Sequence, residues 1–505
     1  MRDHLAFYLN GKRHTADGAA AFSTLTDFLR ETLGHTGTKV VCAEGDCGAC
    51  SVLVGRPSCD GSQLVYRTID ACIGFMYQFD RAHLVTIEGL KNQDGTLSPV
   101  QDVMVQGHGS QCGFCTPGFV VTMQGLFEDE PAPKPCEGSN GHEGCSALSE
   151  EQLRLGLSGN LCRCTGYQQI LDAGKAIDPA GVDTMNRRYD SSPMIEDFAR
   201  LGDESVLIEA RQYGETRRVF LPRTLEEAAT FRAANPGCKV ASGTTDLGVQ
   251  HNHASPGPGQ YPAAILSMTQ IDGLDAVTLD HGVLTCGASA TWGAIEHAVQ
   301  DAVPEYHRIL TLFGSPQVRN AGTIAGNLAN ASPIADSIPF HMVMDAELDL
   351  VSSRGKRSVK LNDFYLGYKQ LDLADDELIA AVRTPLPTPG QRLKLFKVSK
   401  RRDMDISTFT AAVLLTFDET GDTLVAARLA YGGVGPTVLR LPETEAYLAG
   451  QPFTEDTMRQ AGQLARTEIT PLSDVRGSAD FRLQLAENIL VKCYHELSPP
   501  TPQPA

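Results

Sequence analysis

The chain has 505 residues, a formal net charge of −18, and 42% hydrophobic and 21% charged residues. This length predicts three or four domains, each able to bury its own core. The negative charge, without any Lys/Arg-rich run, argues against nucleic acid and anionic membranes as partners. No signal peptide or bilayer-spanning segment is evident, so a cytoplasmic location is expected. The 14 cysteines are then expected to be reduced, with close-set groups serving metal or redox chemistry.

The first predicted elements are a hairpin and a helix. Asn10 and Gly11 lie between two short apolar segments, and this dipeptide is typical of a type I′ hairpin because both positions take positive φ. Thr24 begins a capping-box-like pattern for a helix that Gly34 can end. A hairpin followed by a helix suggests a β-grasp domain, which we assign to residues 1–88.

Four cysteines follow the predicted helix: Cys42, Cys47, Cys50 and Cys72. The first three have the C-x4-C-x2-C spacing that plant-type 2Fe-2S ferredoxins use with a distant fourth cysteine. Gly45 and Gly48 allow the loop to wrap around a cluster and turn its N–H groups inward. A zinc site is the alternative, but four-cysteine zinc sites usually have two C-x2-C pairs. Electron transfer is therefore the first hypothesis.

A second group of four cysteines consists of Cys112, Cys115, Cys162 and Cys164. Capping residues before apolar periodic runs predict four surrounding helices, starting at Ser98, Thr116, Ser149 and Thr165. We therefore assign a helical domain to residues 89–178. Cys115 and Cys164 directly precede two of these predicted N-caps, where helix dipoles would lower thiolate pKa values. By its spacing alone this group could also hold zinc.

The segment 128–144 is rich in Pro, Gly and acidic residues and is expected to be a surface loop. It contains Cys136, His142 and Cys145, which could form an additional metal site. Side chains in a loop of this kind are more often simply exposed. Whether these three bind anything is left open.

Residues 179–210 mix charged, Ser and Pro residues and are expected to be a linker. After them, a predicted strand runs into a loop of Gly and hydroxyl residues at 240–247, and a second loop of small and polar residues spans 322–336. Such loops can present N–H groups and hydroxyls to phosphate oxygens. Neither has the G-x-G-x-x-G pattern of a Rossmann site, and ordinary turns are the alternative.

The motifs CAEGDCGAC (42–50), QCGFCTPG (111–118) and GNLCRCTGY (159–167), with Cys72, resemble the molybdenum hydroxylase family, and within it the xanthine dehydrogenases. The resemblance implies that all eight cysteines bind two 2Fe-2S clusters, in a ferredoxin-like β-grasp domain and a four-helix bundle. It also implies that Gln111 and the second cluster lie close to the molybdopterin of a partner. The long interval between the two halves of the second group departs from the family pattern.

The two later loops resemble the FAD loops of the family's vanillyl-alcohol-oxidase-type flavin domain. The implied fold class is therefore multidomain α+β, with an FAD-binding domain at 211–388 and a CO-dehydrogenase-flavoprotein-like α+β domain at 389–505. Residues 240–247 would line the pyrophosphate, and Lys397 would stabilise a reduced, anionic flavin. The implied FAD contacts are Val240, Ala241, Ser242, Gly243, Thr244, Thr245, Asp246, Leu247, Phe313 (by the flavin or adenine), Thr323, Gly326 and Asn327 (diphosphate and ribitol), Asp336 (far side) and Lys397.

The resemblance implies the small subunit of a xanthine dehydrogenase that oxidises hypoxanthine and xanthine to urate in purine catabolism. Electrons would pass from a molybdenum cofactor on a large partner subunit through the second and then the first cluster to FAD and NAD+. No hydroxylation catalyst is expected on this chain, and an (αβ)2 heterotetramer is expected. The alternatives are the same role in an aldehyde, nicotinate or carbon monoxide enzyme, oxygen as acceptor, and a zinc-binding adaptor without redox function.

Overall fold

The structure is a computed structural model that describes residues 1–128, 148–212, 214–251 and 261–498. The chain divides into a first unit, Met1–Asp272 with Gly314–Gly322, and a second unit, Gly273–Phe313 with Thr323–Ala505. The possible metal site at Cys136, His142 and Cys145 lies outside the described residues. Within the described ranges, no helix is long and apolar enough to cross a membrane.

The first unit begins with a five-stranded sheet of order β2-β1-β5-β3-β4. Its strands are β1 His4–Leu9, β2 Lys12–Asp17, β3 Ser51–Pro57, β4 Leu64–Asp70 and β5 His83–Val85. The predicted hairpin is confirmed, since β1 and β2 pair antiparallel through Asn10 and Gly11, with φ of 48° and 80°. The helical turn Leu25–Asp27 continues as the π-helix Phe28–Thr32, and Thr24 caps it. These elements form the expected β-grasp.

Four helices follow in the first unit: Pro99–Gln106, Thr116–Gly125, Glu150–Gly156 and Gln168–Lys175. Ser98 and Ser149 cap the first and third as predicted, each accepting a backbone N–H bond within a capping box. The second helix already begins at Thr116, so Cys115 is its N-cap. Apolar faces of all four helices share one buried core, in agreement with the predicted helical domain.

The start predicted at Thr165 is wrong, because the fourth helix begins only at Gln168. Gly166 and Tyr167 have φ of 76° and 70°, so the chain makes a left-handed turn before the helix. Thr165 instead hydrogen-bonds within this turn, accepting the N–H of Tyr167. Cys164 is thus separated from the helix N-terminus that was expected to lower its pKa.

The expected linker at residues 179–210 instead contains two helices that are part of the folded unit. It contains the helices Met185–Arg188 and Ser192–Leu201 and leads directly into the next strand. Met194 and Phe198 are buried at 4% and 0% exposure, one turn apart on the same helix face. This spacing is a helix signal, whereas the charged, Ser- and Pro-containing composition of the segment favours a linker.

A second, four-stranded sheet completes the first unit, in the order β6-β7-β9-β8. Its strands are β6 Val206–Gln212, β7 Glu215–Leu221, β8 Lys239–Ala241 and β9 Ala264–Ser267, and its helices are Leu225–Ala234, Thr245–His251 and the single turn Pro316–Arg319. β9 pairs in parallel with both β7 and β8. The strand predicted to lead into the loop at 240–247 is confirmed as β8. Short 3-10 turns occupy Gly18–Phe22, Met76–Gln78, Ile87–Leu90 and Pro179–Gly181.

The second unit contains two larger sheets, with orders β10-β11-β16-β12-β13 and β17-β18-β19-β20, and the small pair β14-β15. The strands are β10 Val277–Asp280, β11 Val283–Gly287, β12 Glu347–Ser352, β13 Gly355–Lys360, β14 Tyr365–Gly367, β15 Gln370–Leu371, β16 Leu378–Pro385, β17 Gln391–Val398, β18 Phe409–Phe417, β19 Leu424–Gly432 and β20 Leu439–Arg440. The helices are Trp292–Ala298, Pro304–Thr311, Ile324–Asn330, Ile338–Val343, Leu361–Phe364, Pro442–Leu448, Glu455–Ala465 and Ala479–Leu497. The last two helices share a core with the β17–β20 sheet.

Each unit buries a histidine completely: His83 in the first and His341 in the second, both at 0% exposure. His83 Nε2 accepts the N–H of Gly11 at 3.0 Å, and its Nδ1 lies 2.6 Å from the Tyr66 hydroxyl. His341 lies 2.9 Å from the hydroxyls of both Tyr306 and Thr384. Burial lowers the pKa of both histidines from 6.5 to about 3, so both are neutral in the folded protein near neutral pH.

We expect both units to lose stability as the pH falls from about 6.5 towards 3. In this range the unfolded chain binds a proton at each histidine and the folded chain does not, which costs about 1.4 kcal/mol per pH unit for each histidine. Urea unfolding followed by circular dichroism at pH 7, 6 and 5 measures the slope. His83→Gln and His341→Gln serve as matched variants and should flatten it. If the pH dependence of the free energy of unfolding is unchanged in both variants, the buried histidines are not its source.

Candidate functional site

The first cysteine group lies at one end of the β3–β4 pair. Cys50 precedes β3 and Cys72 follows β4, and the register that places Ser51 opposite Asp70 brings the two cysteines together. Cys47, Cys50 and Cys72 are buried, and Cys42 is partly exposed. The structure therefore gathers all four cysteines predicted from the sequence.

Their sulfur atoms contact one another, with Cys42 touching Cys47 and Cys72, and Cys50 touching Cys72. Hydrogen bonds from the Cys47 and Cys72 thiols lower the pKa of Cys42. The same hydrogen bonds raise the pKa values of Cys47 and Cys72. Two backbone N–H groups of the loop also donate to Cys42 Sγ, both at 3.4 Å. Inward amides of this kind stabilise the negative charge of an iron-sulfur cluster.

The second cysteine group is equally close-set. Cys164 Sγ lies 3.6 Å from Cys112 Sγ and 3.8 Å from Cys162 Sγ, and Cys115 contacts Cys162. Burial raises the pKa of Cys115 to about 12, so its place at a helix N-terminus does not lower its pKa as expected. Burial also raises the pKa of Cys162, but hydrogen bonds with the Thr165 side chain and N–H outweigh burial and lower it to about 7.

The donor sets fit two-iron clusters. The sulfurs of the first group meet in a continuous series, Cys47 with Cys42, Cys42 with Cys72, and Cys72 with Cys50. Four cysteine thiolates complete a 2Fe-2S cluster, two at each iron, and each cysteine group supplies four.

The two cysteine groups differ in their exposure to solvent. Cys112 and Cys164 of the second group are exposed, whereas three of the four cysteines in the first group are buried. Apolar side chains beside the second group are also exposed: Phe114 at 48%, Leu161 at 43% and Tyr167 at 37%. We call these three residues the apolar rim. Large contiguous apolar patches mark interaction sites, and the apolar rim provides exposed apolar side chains beside this group.

The loops of the two groups are hydrogen-bonded to each other. The Leu161 N–H, next to Cys162, donates to the Cys47 carbonyl at 3.0 Å, and Asn160 Nδ2 donates to the Gly48 carbonyl at 3.1 Å. A Cβ at Gly118 would lie only 2.1 Å from the Gly48 oxygen. The helix after Cys115 therefore approaches the first loop as closely as a glycine allows. Sequence reasoning did not single out Asn160.

The first group also lies against the loop at 240–247. The carbonyl of Ile73, directly after Cys72, accepts the Thr244 hydroxyl at 3.3 Å. A Cβ at Gly248 would lie 2.2 Å from the same oxygen. Thr244 itself takes a positive φ of 53°, which turns the chain from β8 into the next helix. The second cysteine group, the first group and this loop thus form a continuous series of contacts within the first unit.

Gly243 brings the loop at 240–247 close to the beginning of the loop at 322–336. A Cβ at Gly243 would lie 2.1 Å from the Ala321 oxygen and 2.9 Å from Gly322 Cα. Only a glycine fits at this position, because the two backbone segments touch there. FAD binding by these two loops stays a prediction.

The other implied FAD contacts lie in the second unit. Thr323 caps the helix Ile324–Asn330 by accepting the N–H of Gly326, and Asn327 Oδ1 accepts the Ser337 hydroxyl at 2.7 Å. Phe313 packs edge-to-face on Trp292, with ring centroids 5.1 Å apart. These residues have structural partners of their own.

Lys397 and Asp336 form a buried ion pair, with side chains 3% and 8% exposed and Nζ and Oδ2 2.5 Å apart. The Asp405 carbonyl accepts a further bond from Lys397, and Asp336 also accepts the Ser407 hydroxyl. Two residues predicted separately are therefore partners. Asp336 thus compensates the charge of Lys397, and a contact of either residue with FAD stays a prediction.

Family models match four successive parts of the chain. These are the 2Fe-2S iron-sulfur cluster binding domain at 7–72, the [2Fe-2S] binding domain at 86–175, the FAD binding domain in molybdopterin dehydrogenase at 212–387, and the CO dehydrogenase flavoprotein C-terminal domain at 394–497. The order of these domains agrees with the order predicted from the sequence.

The chain is similar to xanthine dehydrogenase 1 of Arabidopsis thaliana, with 28% identity over 96% of this chain and 39% of the relative. It is also 29% identical to aldehyde oxidase 2 of Rattus norvegicus, over 98% of this chain and 39% of the relative. The chain thus spans about two-fifths of the length of these relatives.

Among solved structures, quinoline 2-oxidoreductase from Pseudomonas putida 86 matches with a TM-score of 0.50 and 27% identity, over 55% of this chain and 94% of that chain. Carbon monoxide dehydrogenase from Hydrogenophaga pseudoflava matches with a TM-score of 0.50 and 25% identity, over 54% and 94%. The four domain matches and the two cysteine groups lead to one conclusion: the chain comprises two 2Fe-2S domains and a flavin part of the kind that molybdenum hydroxylases contain.

Proposed function

We propose that this chain is the small subunit of a xanthine dehydrogenase, in which a large subunit carries the molybdenum cofactor and oxidises hypoxanthine and xanthine to urate. NAD+ is the final electron acceptor in this proposal. When bound, the two clusters supply one-electron transfer and FAD collects the electrons in pairs for hydride transfer. The observation that carries the proposal is the unbroken series of contacts from the second cysteine group through the first to the loop at 240–247.

The eight cysteines hold the clusters in this proposal, four in each: Cys42, Cys47, Cys50 and Cys72 in the first, and Cys112, Cys115, Cys162 and Cys164 in the second. Backbone amides of residues 44 and 46 donate to the Cys42 sulfur, and the Thr165 side chain and N–H hydrogen-bond to Cys162. Such bonds stabilise the charge of a cluster and tune its potential. The residues at 240–247, Phe313, Thr323, Gly326, Asn327, Asp336 and Lys397 remain the proposed FAD contacts.

The surface near the second cysteine group supports the proposal of a partner. Cys112 and Cys164 are exposed beside the apolar rim, so this cluster is the one that an external electron donor can approach. The first group is mostly buried and touches the flavin loop instead. Because of this difference in exposure, electrons enter at the second cysteine group and leave at the flavin in this proposal. The (αβ)2 assembly and the cytoplasmic location belong to the proposal as well.

Purification of the complex from its native source, with metal and cofactor analysis, tests the electron-transfer part. We expect iron, flavin and a molybdenum-bearing partner to co-purify, and visible absorption from the clusters and flavin. A colourless protein with stoichiometric zinc would instead identify a zinc-binding adaptor and end the proposal.

Turnover of the same complex tests the substrate. Xanthine with NAD+ should be oxidised, and oxygen should replace NAD+ poorly. Aldehyde oxidation is the second candidate function, favoured by the 29% identity to aldehyde oxidase 2. Turnover of aldehydes alone would exclude xanthine as the substrate and leave the electron-transfer role intact.

A further inference from the structure

A short segment of the matched FAD-binding domain, Gly314–Gly322, folds with the first unit. It carries Gln317, whose side chain has no exposed surface. The Gln317 Nε2 lies 3.0 Å from Asn160 Oδ1, 3.2 Å from Ser51 Oγ and 3.3 Å from Thr122 Oγ1. One amide group therefore contacts three separate parts of the iron-sulfur region.

Each of these contacts belongs to one of the cysteine groups. Ser51 directly follows Cys50, Asn160 lies two residues before Cys162, and Thr122 is on the helix that Cys115 caps. Asn160 extends the connection, because its Nδ2 donates to the Gly48 carbonyl in the first loop. The amide of Gln317 thus joins both loops, directly and through Asn160.

Packing alone does not account for an amide at this position. Gln317 Oε1 is buried and makes no hydrogen bond within the described residues, which is unfavourable for an amide oxygen. It lies over Gly159, where a Cβ would be 2.0 Å away. An apolar side chain of similar size would fill the same space without this cost. The donor group, Nε2, is what an apolar replacement lacks.

The segment is held firmly enough for this contact to be specific. Ser315 caps its helical turn by accepting the Val318 N–H, and Asn320 Nδ2 donates to the Thr68 carbonyl on β4 at 3.0 Å. The chain is therefore anchored on both sides of Gln317, which gives its side chain a defined position relative to the two cysteine loops.

We propose that Gln317 is a positioning residue that sets the relative placement of the two iron-sulfur clusters, and that the flavin-domain segment 314–322 is thereby part of the intercluster geometry. Gln317 acts through Asn160 and Ser51 and does not contact the cysteine sulfurs. The inference rests on the proposed function in that both cysteine groups must carry clusters.

The test uses the loaded protein with Gln317→Met, which keeps the size of the side chain and removes the donor. We expect full iron content, but a changed magnetic interaction between the two reduced clusters in EPR. Hydrogen exchange of the Leu161 N–H, which bonds Cys47, should accelerate at least tenfold. Gln270→Leu is the matched control, since Gln270 is a buried amide of the same unit that donates to Asp80. It should change neither readout.

Gly159→Ala provides a second, independent variant, because its methyl group would displace the Gln317 amide. It should produce the same two changes, and it decides the question if Gln317→Met does not fold. If a loaded variant shows an unchanged magnetic interaction between the clusters and unchanged exchange of the Leu161 N–H, the inference about Gln317 is overturned, whereas the proposed function stands. Absence of two cluster signals in the unmodified protein would instead overturn the proposed function.

Discussion

Cys47→Ser should remove one of the two reduced-cluster EPR signals and about half of the iron, while the flavin absorption remains. Cys47 is buried and its sulfur contacts Cys42, and a hydroxyl is a much poorer ligand for iron in a cluster than a thiolate. The Cys47 carbonyl, which bonds the Leu161 N–H, is unchanged by the substitution. The second cluster should therefore keep its signal. Iron analysis and EPR of the reduced protein measure both effects.

Electron transfer from the partner to FAD should fall to background in this variant, because the series of contacts from the second group to the flavin loop passes through the first group. Cys59→Ser is the matched control, since Cys59 is an exposed cysteine of the same unit outside both groups. It should retain both signals and full turnover. Retention of both signals in Cys47→Ser would show that Cys47 is not a ligand.

Asp80→Ala should lower the free energy of unfolding of the first unit by about 3–5 kcal/mol, the usual cost of removing one partner of a buried ion pair. Asp80 accepts hydrogen bonds from Nη1 and Nη2 of Arg2, at 2.9 and 2.7 Å, and the side chains of Asp80 and Arg2 are 1% and 6% exposed. It also accepts the N–H of Ala6 in β1 at 2.8 Å. The substitution leaves a buried cation and a strand N–H without their acceptor.

Urea unfolding measures this loss, with Asp60→Ala as the control because Asp60 lies in an exposed turn of the same unit. A double variant, Arg2→Met with Asp80→Leu, should recover much of the stability, since it removes both charges from the interior. Equal destabilisation by the single and double variants would show that the ion pair is not the source of the effect.

Local sequence patterns predicted those parts of the fold that depend on interactions between residues close together in the chain. The Asn10-Gly11 turn and the caps at Ser98 and Ser149 appear as expected, because φ preferences and side-chain caps act over one to four residues. The helix expected at Thr165 starts later, since positive φ at Gly166 and Tyr167 delays it. Residues 192–201 form a helix with one buried face, but their sequence suggests a linker because charged and polar neighbours obscure the helical spacing of the apolar residues.

The kind of cofactor site was determined by the sequence itself. C-x4-C-x2-C is a local constraint on one loop, and the distances between its thiols depend mainly on that loop's own backbone. The candidate cluster cysteines could therefore be named residue by residue, and the structure brings each group of four together.

Only the tertiary structure decided what these sites touch. Gln317 with Asn160, Thr244 with the Ile73 carbonyl, and Lys397 with Asp336 are pairs far apart in the chain. Nothing in the local sequence selects one partner over another, because such contacts arise when whole elements pack and buried polar groups must find hydrogen bonds. The sequence by itself thus determined which electron carriers the domains can hold, and the packing of the elements determined how the cysteine loops and the loop at 240–247 are connected.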